Sequence, residues 1–327
     1  MSCRLLCTDD GSVRVYLQEN LKVVKAIRGM GEVSSVVCMP HNAGGLGDIW
    51  VASDHYALRF TMDTEKMILA KADATLTVGA CSRSIEKTNQ LAFCLDSGTV
   101  GVIDLSTKKV TRMRTSHDNI CGTVKFIPDR PSELVSGGYD SSLLHYDFHQ
   151  RTVLSRFDLG TSPPSSGVSM SPPFILSSAI SPSGILAAGT ADGRVWIGTG
   201  GEKISGATSG TSVKKKRRKW EGLKQDETFT ADVGNGPIAA LTFLGPRTLL
   251  TSTLMGRVAL HEIRASTADG KLDMILKWTK ATTGVNKVNA IISTGGLVII
   301  GGLNGSGGGV IEVWEKGSSS DAMSMST

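Results

Sequence analysis

One hairpin unit recurs along this chain: an apolar run, a turn containing Asp or Gly, then a run in which apolar and polar residues alternate. "LLCTDDGSVRVYL" comes first, and "LAFCLDSGTVGVIDL", "LVSGGYDSSLLHYDF", "LAAGTADGRVWIGT" and "LLTSTLMGRVALHEI" follow. Alternation with period two puts successive side chains on opposite faces, the pattern of a strand half buried in a sheet. Asp-Gly between two such runs is a strong hairpin signal, because Gly accepts a positive φ without steric cost. Aligned on the turn, the units place Gly11, Gly98, Ser141, Gly193, Gly256 and Gly309 at one position, with a degenerate copy near Asp54 and His55. Each unit opens with a further apolar run: "VSSVVCM", "TLTVGAC", "GTVKFI", "ILSSAIS", "IAALTFL" and "KVNAIIS". A period of roughly 40–45 residues with four strands per unit is the signature of a β-propeller. Seven units fit the 327 residues, so the expectation is an all-β, seven-bladed propeller over residues 1–316, with 317–327 a disordered tail.

The ends of the repeat depart from this pattern. The first unit starts at its second strand, "CRLLC", and the last stops after its third, at Lys316. Both terminal blades are therefore expected to hold three strands. The reading of the N-terminus is a start downstream of a missing inner strand, with a divergent closure as the alternative.

Composition narrows the function. The chain is 40% hydrophobic and 20% charged, which supports a packed core rather than disorder throughout. Its net charge is +5, and the run Lys214, Lys215, Lys216, Arg217, Arg218, Lys219 alone supplies +6, leaving the rest at −1. A near-neutral body has no general cationic field with which to hold a phosphate backbone. The run lies in "SVKKKRRKWEGLK", within a Gly-, Ser- and Thr-rich insertion over about 200–235, where six like charges repel and stay solvated. Such runs act as nuclear localisation signals or nucleic-acid patches, and the near-neutral body favours the nuclear address. The six cysteines are scattered without a Cys-x-x-Cys pair, and no secretory or membrane-spanning stretch is present. They read as reduced core thiols of a nuclear or cytosolic protein, with no membrane partner.

Residues 117–147, "HDNICGTVKFIPDRPSELVSGGYDSSLLHYD", resemble a WD40 repeat. In that family a His before the inner strand, a Ser or Thr on the second strand, an Asp in the turn and a Trp on the third strand share one hydrogen-bond network. The resemblance assigns these parts to His117, Ser136 and Asp140, with Tyr146 in the place of Trp. A buried Asp–His pair is tolerable only when every partner is satisfied, so the network is structural. Asp10, Asp96 and Asp192 keep a turn Asp without the His and Trp, and Trp314 holds the Trp place of the last unit. The stretch from "LDSGTVGVIDL" to "SGGYDSSL", together with "SAISPSGILAAGTADGRVWI", resembles the WD repeat-containing protein 53 family. That resemblance implies a scaffold, or a substrate receptor of a cullin-RING ubiquitin ligase. Receptors of that kind carry Trp-Asp-x-Arg at the end of a third strand; Ile103-Asp104-Leu105-Ser106 and Tyr146-Asp147-Phe148-His149 stand here without the Arg.

Catalytic patterns do not assemble. "GMGEVS" precedes a strand and opens no helix, and "LNGSGGGV" lacks the Lys-Ser/Thr of a phosphate loop. His145 and His149 share a strand face but sit ~13 Å apart, too far to hold one metal. No catalytic residue, cofactor or metal site is expected. The reading is a non-enzymatic scaffold, a monomer within larger complexes, that binds protein partners through the propeller rim. Asn119 and Tyr139, beside His117 and Asp140, are the candidate partner-binding residues, since an aromatic with a polar tip suits an interface. The alternative is an RNA- or chromatin-associated factor that uses Lys214–Lys219 directly.

Overall fold

A computed structural model describes residues 3–7, 11–17, 22–38, 47–54, 56–79, 83–87, 89–160, 171–202, 219–265, 272–294 and 296–315. The strands are β1 (Cys3–Cys7), β2 (Val13–Leu17), β3 (Val23–Arg28), β4 (Val33–Cys38), β5 (Ile49–Ser53), β6 (Tyr56–Phe60), β7 (Ile68–Ala70), β8 (Leu76–Gly79) and β9 (Arg83–Lys87). Then come β10 (Gln90–Cys94), β11 (Val100–Asp104), β12 (Val110–Arg112), β13 (Cys121–Phe126), β14 (Glu133–Gly138), β15 (Ser142–Asp147), β16 (Thr152–Asp158), β17 (Ile175–Ile180) and β18 (Leu186–Thr190). The last are β19 (Arg194–Gly198), β20 (Thr228–Asp232), β21 (Ile238–Phe243), β22 (Thr248–Thr253), β23 (Arg257–Ala265), β24 (Leu272–Ala281), β25 (Lys287–Thr294), β26 (Leu297–Leu303) and β27 (Gly309–Glu315).

They form seven consecutive sheets: β1-β2-β3-β7, β4-β5-β6-β8, β9-β10-β11-β12, β13-β14-β15-β16, β17-β18-β19-β20, β21-β22-β23-β24 and β25-β26-β27. This is the all-β, seven-bladed propeller arrangement that the repeat predicts. Among the described residues the last sheet has three strands, as expected, but the first has four. The edge of β3 is extended by the short β7, which pairs parallel through Ala26↔Ile68 and Arg28↔Ala70. Three residues carry no readable alternation, so a strand of that length leaves no trace in sequence. A second correction concerns "TLTVGAC". Read as the opening strand of the third unit, it instead supplies β8, the fourth strand of the second sheet, and the third sheet opens with β9, "RSIEK". Hydrophobicity alone favours the apolar run as an inner strand over the charged "RSIEK" beside it.

The chain divides into two compact units, Met1–Phe126 with Phe148–Thr152, and Ile127–Asp147 with Val153–Thr327. In the first, Val15, Ile27, Val51, Leu58 and Phe60 pack one apolar layer, and Trp50, Leu91, Phe93 and Ile103 another. In the second, Val135, Leu143, Leu186 and Trp196 form a layer with Trp220; Ile197, Ile238 and Leu249 form the next, and Leu250, Val258, Ile300 and Trp314 a third. Each layer draws on successive sheets, so the inward side chains of one sheet fill the gaps of its neighbour. A one-residue bulge recurs near the start of four first strands, between Val33 and Ser35, Ile175 and Ser177, Ile238 and Ala240, and Val288 and Ala290. Such a bulge sharpens the local twist at a fixed point of the unit. Cys94 and Cys121 are buried free thiols and Cys38 an exposed one. Residues 317–327 lie outside the described part of the chain.

Candidate interaction surface

The turns between second and third strands share one backbone device. A residue there adopts the left-handed conformation in every sheet: Gly11 (φ 72°), Asp54 (53°), Gly98 (78°), Ser141 (61°), Gly193 (89°), Gly256 (82°) and Gly307 (82°). The last was expected at Gly309, which instead opens β27 opposite Leu303. Asn304 sets the phase: its Oδ1 accepts the N–H groups of Ser306 (3.1 Å) and Gly308 (2.8 Å), which the surrounding run of glycines hides in sequence. In five sheets the turn carbonyl also accepts an N–H from the chain leaving the same repeat unit. Gly11 accepts from Met30 (3.3 Å), Gly98 from His117 (3.0 Å), Ser141 from Leu159 (2.9 Å), Gly193 from Val233 (3.1 Å) and Gly256 from Thr282 (2.8 Å). The turn is thus latched to the end of its own repeat.

On this common frame the side chains differ. Asp140 closes its turn by accepting the Ser142 N–H (3.1 Å) and hydroxyl (2.9 Å). Asp192 is nearly buried and meets Arg194 Nε at 2.6 Å, a charge tolerable inside because it is paired. In the sixth sheet the tip is Met255, at 73% the most exposed large apolar side chain among the described residues. Tyr139, half-buried, lies flat on Phe174 with ring centroids 5.6 Å apart and planes 11° off parallel. Phe174 was not singled out in sequence; it follows Pro172-Pro173 outside any alternating run.

Of the other candidates, His117 and Asn119 precede β13 in the first unit, while Ser136, Asp140 and Tyr146 belong to the second. His117, Ser136 and Tyr146 are buried. Asn119 is exposed, and its Oδ1 accepts the Ile120 N–H at 2.7 Å. Among the described residues no group of three or more His, Cys, Asp or Glu converges as metal ligands would, and no helix is long and apolar enough to cross a membrane.

The insertion returns to the fold earlier than its composition suggests. Lys214–Arg218 lie outside the described residues and Lys219 is exposed, but Trp220 is only 3% exposed. Its Nε1 donates to the Gly184 carbonyl (3.1 Å), and its ring meets the buried His145 edge-on at 4.8 Å. His145 in turn contacts Glu133 Oε2 (2.9 Å) and Ser155 Oγ (3.2 Å). Part of the stretch read as loop, Thr228–Asp232, is β20, the outer strand of the fifth sheet. The departing chain is held beside the returning one. A Cβ on Gly201 would fall 2.0 Å from Trp220 Nε1, and one on Gly200 2.3 Å from the Glu221 carbonyl. Glu202 is clamped by Arg247 through two bonds of 2.7 Å.

Comparison with known proteins agrees with this architecture. No family model matches the chain. It is similar to a WD repeat-containing protein 53 homolog of Dictyostelium discoideum, 26% identical over 161 residues that cover 46% of this chain and 41% of the relative. The match thus spans less than half the length of that relative. Among solved structures, the WD40 β-propeller domain of Doa1 superposes with a TM-score of 0.67 at 12% identity, covering 97% of this chain and 90% of that one. A computationally designed protein, Ika8, superposes with a TM-score of 0.61 at 14% identity, covering 96% and 80%. By its repeat, its seven sheets and these likenesses, the chain has the WD40 β-propeller fold and resembles the WD repeat-containing protein 53 family.

Proposed function

We propose that the chain is a non-enzymatic scaffold whose turn tips bind protein partners. The observation that carries this reading is a recurrent backbone bearing unlike side chains: the same left-handed conformation recurs in every sheet, while the tips range from Tyr139-Asp140 to Met255. A rigid sheet that presents variable loops is the usual arrangement of a binding surface. Tyr139 and Asn119 are the contacts proposed for the best-formed repeat. His117, Ser136, Asp140 and Tyr146 are proposed to support them as a structural network.

Affinity purification of the full chain at low and moderate salt, followed by mass spectrometry, tests the reading. Partners are expected to persist as salt rises, because a packed protein interface is screened far less than phosphate contacts. Tyr139→Ala with Asn119→Ala is expected to deplete a subset of them. An interactome unchanged by the pair sinks the placement, and capture that collapses with salt and carries RNA or DNA favours the nucleic-acid role of Lys214–Lys219. A cullin among the retained proteins is the outcome that the resemblance implies for a ubiquitin-ligase receptor. The basic run is proposed as a nuclear address.

A further inference from the structure

A cleft of about 580 Å³ opens in the first unit, at the opposite end of β11 from the Gly98 turn. Its floor is apolar, built from the buried Val102 and Phe148, and Phe148 is braced edge-on by Phe126 at 5.9 Å. Its walls carry Lys109, Arg112 and Arg151. None of the three makes an ion pair among the described residues, whereas Arg59, Lys66, Lys71, Arg247, Arg264 and Lys277 each face a carboxylate.

A carboxylate also lines the cleft, with one of its oxygens engaged in the adjoining turn. Asp104 Oδ1 accepts the N–H groups of Thr107 (2.8 Å) and Ser106 (3.0 Å), closing the β11–β12 turn. The Thr107 N–H holds this carboxyl below its usual range, so it stays ionised as a turn cap. The cationic walls are positioned by backbone. Asp104 N–H donates to the Lys109 carbonyl (2.9 Å), Arg151 Nε to the Arg112 carbonyl (2.8 Å), and Arg114 N–H to the Arg151 carbonyl (3.2 Å). Strand register fixes the rest, with Gly101 opposite Arg112 and Val102 opposite Thr111.

We infer that this cleft binds an acidic peptide segment, whose anionic oxygens meet Lys109, Arg112 and Arg151 while its aliphatic parts cover Val102 and Phe148. Two guanidinium groups and an ammonium suit carboxylate or phosphoryl oxygens equally. A nucleic acid fits less well: the body lacks a wider cationic track, Phe148 is buried as floor, and the exposed His149 offers one ring where base stacking uses several. The site is separate from the turn tips and shares with them only the class of partner, a protein.

Fluorescence anisotropy on the full chain provides the test. The probes are a short labelled peptide alternating Glu and Gly, its Gln counterpart, and a version with phosphoserine in place of Glu. The Glu or phosphoserine peptide is expected to bind and the Gln peptide not to; which of the two binds tighter identifies the natural source of the anion. Lys109→Gln with Arg112→Gln should weaken binding about tenfold, the scale of one charge-assisted hydrogen bond. Should the pair fail to fold, Lys109→Gln alone, on an exposed turn residue, should give part of the loss. Neutralising Lys214–Lys219, or Tyr139→Ala, should leave binding unchanged, which separates this site from the basic run and from the scaffold reading. Wild-type affinity in the double variant, loss on neutralising the basic run, equal binding of the Gln peptide, or displacement by a single-stranded oligonucleotide at lower concentration than by unlabelled peptide each overturns the inference.

Discussion

His261 illustrates how one buried side chain can shape a property of the whole chain. It sits on β23, 4% exposed, with Nε2 3.2 Å from Thr251 Oγ1. Burial disfavours the imidazolium and lowers its pKa from 6.5 to about 4. The unfolded chain therefore takes up the proton at a higher pH than the folded one does. Stability contributed by the neutral ring is complete above the unfolded value and declines as pH falls from about 6.5 toward 4, by roughly 3 kcal/mol in all. Thermal unfolding followed across that window should show the decline, and His261→Gln should flatten it; an unchanged slope in the variant would place the titration on another group. None of this was legible in sequence, where a lone His on an alternating strand gives no sign of which face it occupies. Trp220 was obscured in the same way. Its burial depends on close approach to Gly184, Gly201 and Gly222, residues distant from or unlike the basic run it follows.

At the scale of strands and turns, the repeat was legible because alternation and turn chemistry are local. The inner strands β4, β13, β17, β21 and β25 fall on the apolar runs that open their units. What failed was local too: β7 is too short to alternate, and β8 and β9 exchanged roles because hydrophobicity alone does not say which side of a sheet boundary a strand joins. The turns offer a controlled comparison. At Gly98 a Cβ would fall 2.1 Å from the His117 carbonyl, whereas at Gly307 it would meet nothing within 4 Å. Both positions share a positive φ, so alanine at either costs about 1–2 kcal/mol of backbone strain. Gly98→Ala should cost clearly more, because the latch to His117 must shift as well. Equal losses in chemical denaturation would mean that the latch carries no energy.

Across the whole molecule, the basic run stands apart from the repeat in composition. The composition of the basic run was legible; the anchor that receives it was not, since Glu202–Arg247 and Trp220–Gly184 join residues far apart in sequence. Replacing residues 203–218 with a Gly/Ser linker should abolish nuclear accumulation and leave the melting temperature nearly unchanged. Trp220→Ala should instead lower stability by about 3–5 kcal/mol, the usual loss for a buried Trp. A large drop in melting temperature with the linker would show that the replaced residues contribute to the fold. The neck that fixes Gly200–Glu202 beside Trp220 and Glu221 also has a consequence on the timescale of evolution. With the two ends held together, each doubling of the segment between them adds only about 0.6 kcal/mol of closure entropy. Length can therefore change there at little cost in closure entropy. Related chains should differ in length first between Glu202 and Lys219, while the glycines and the tryptophan that frame the gap persist.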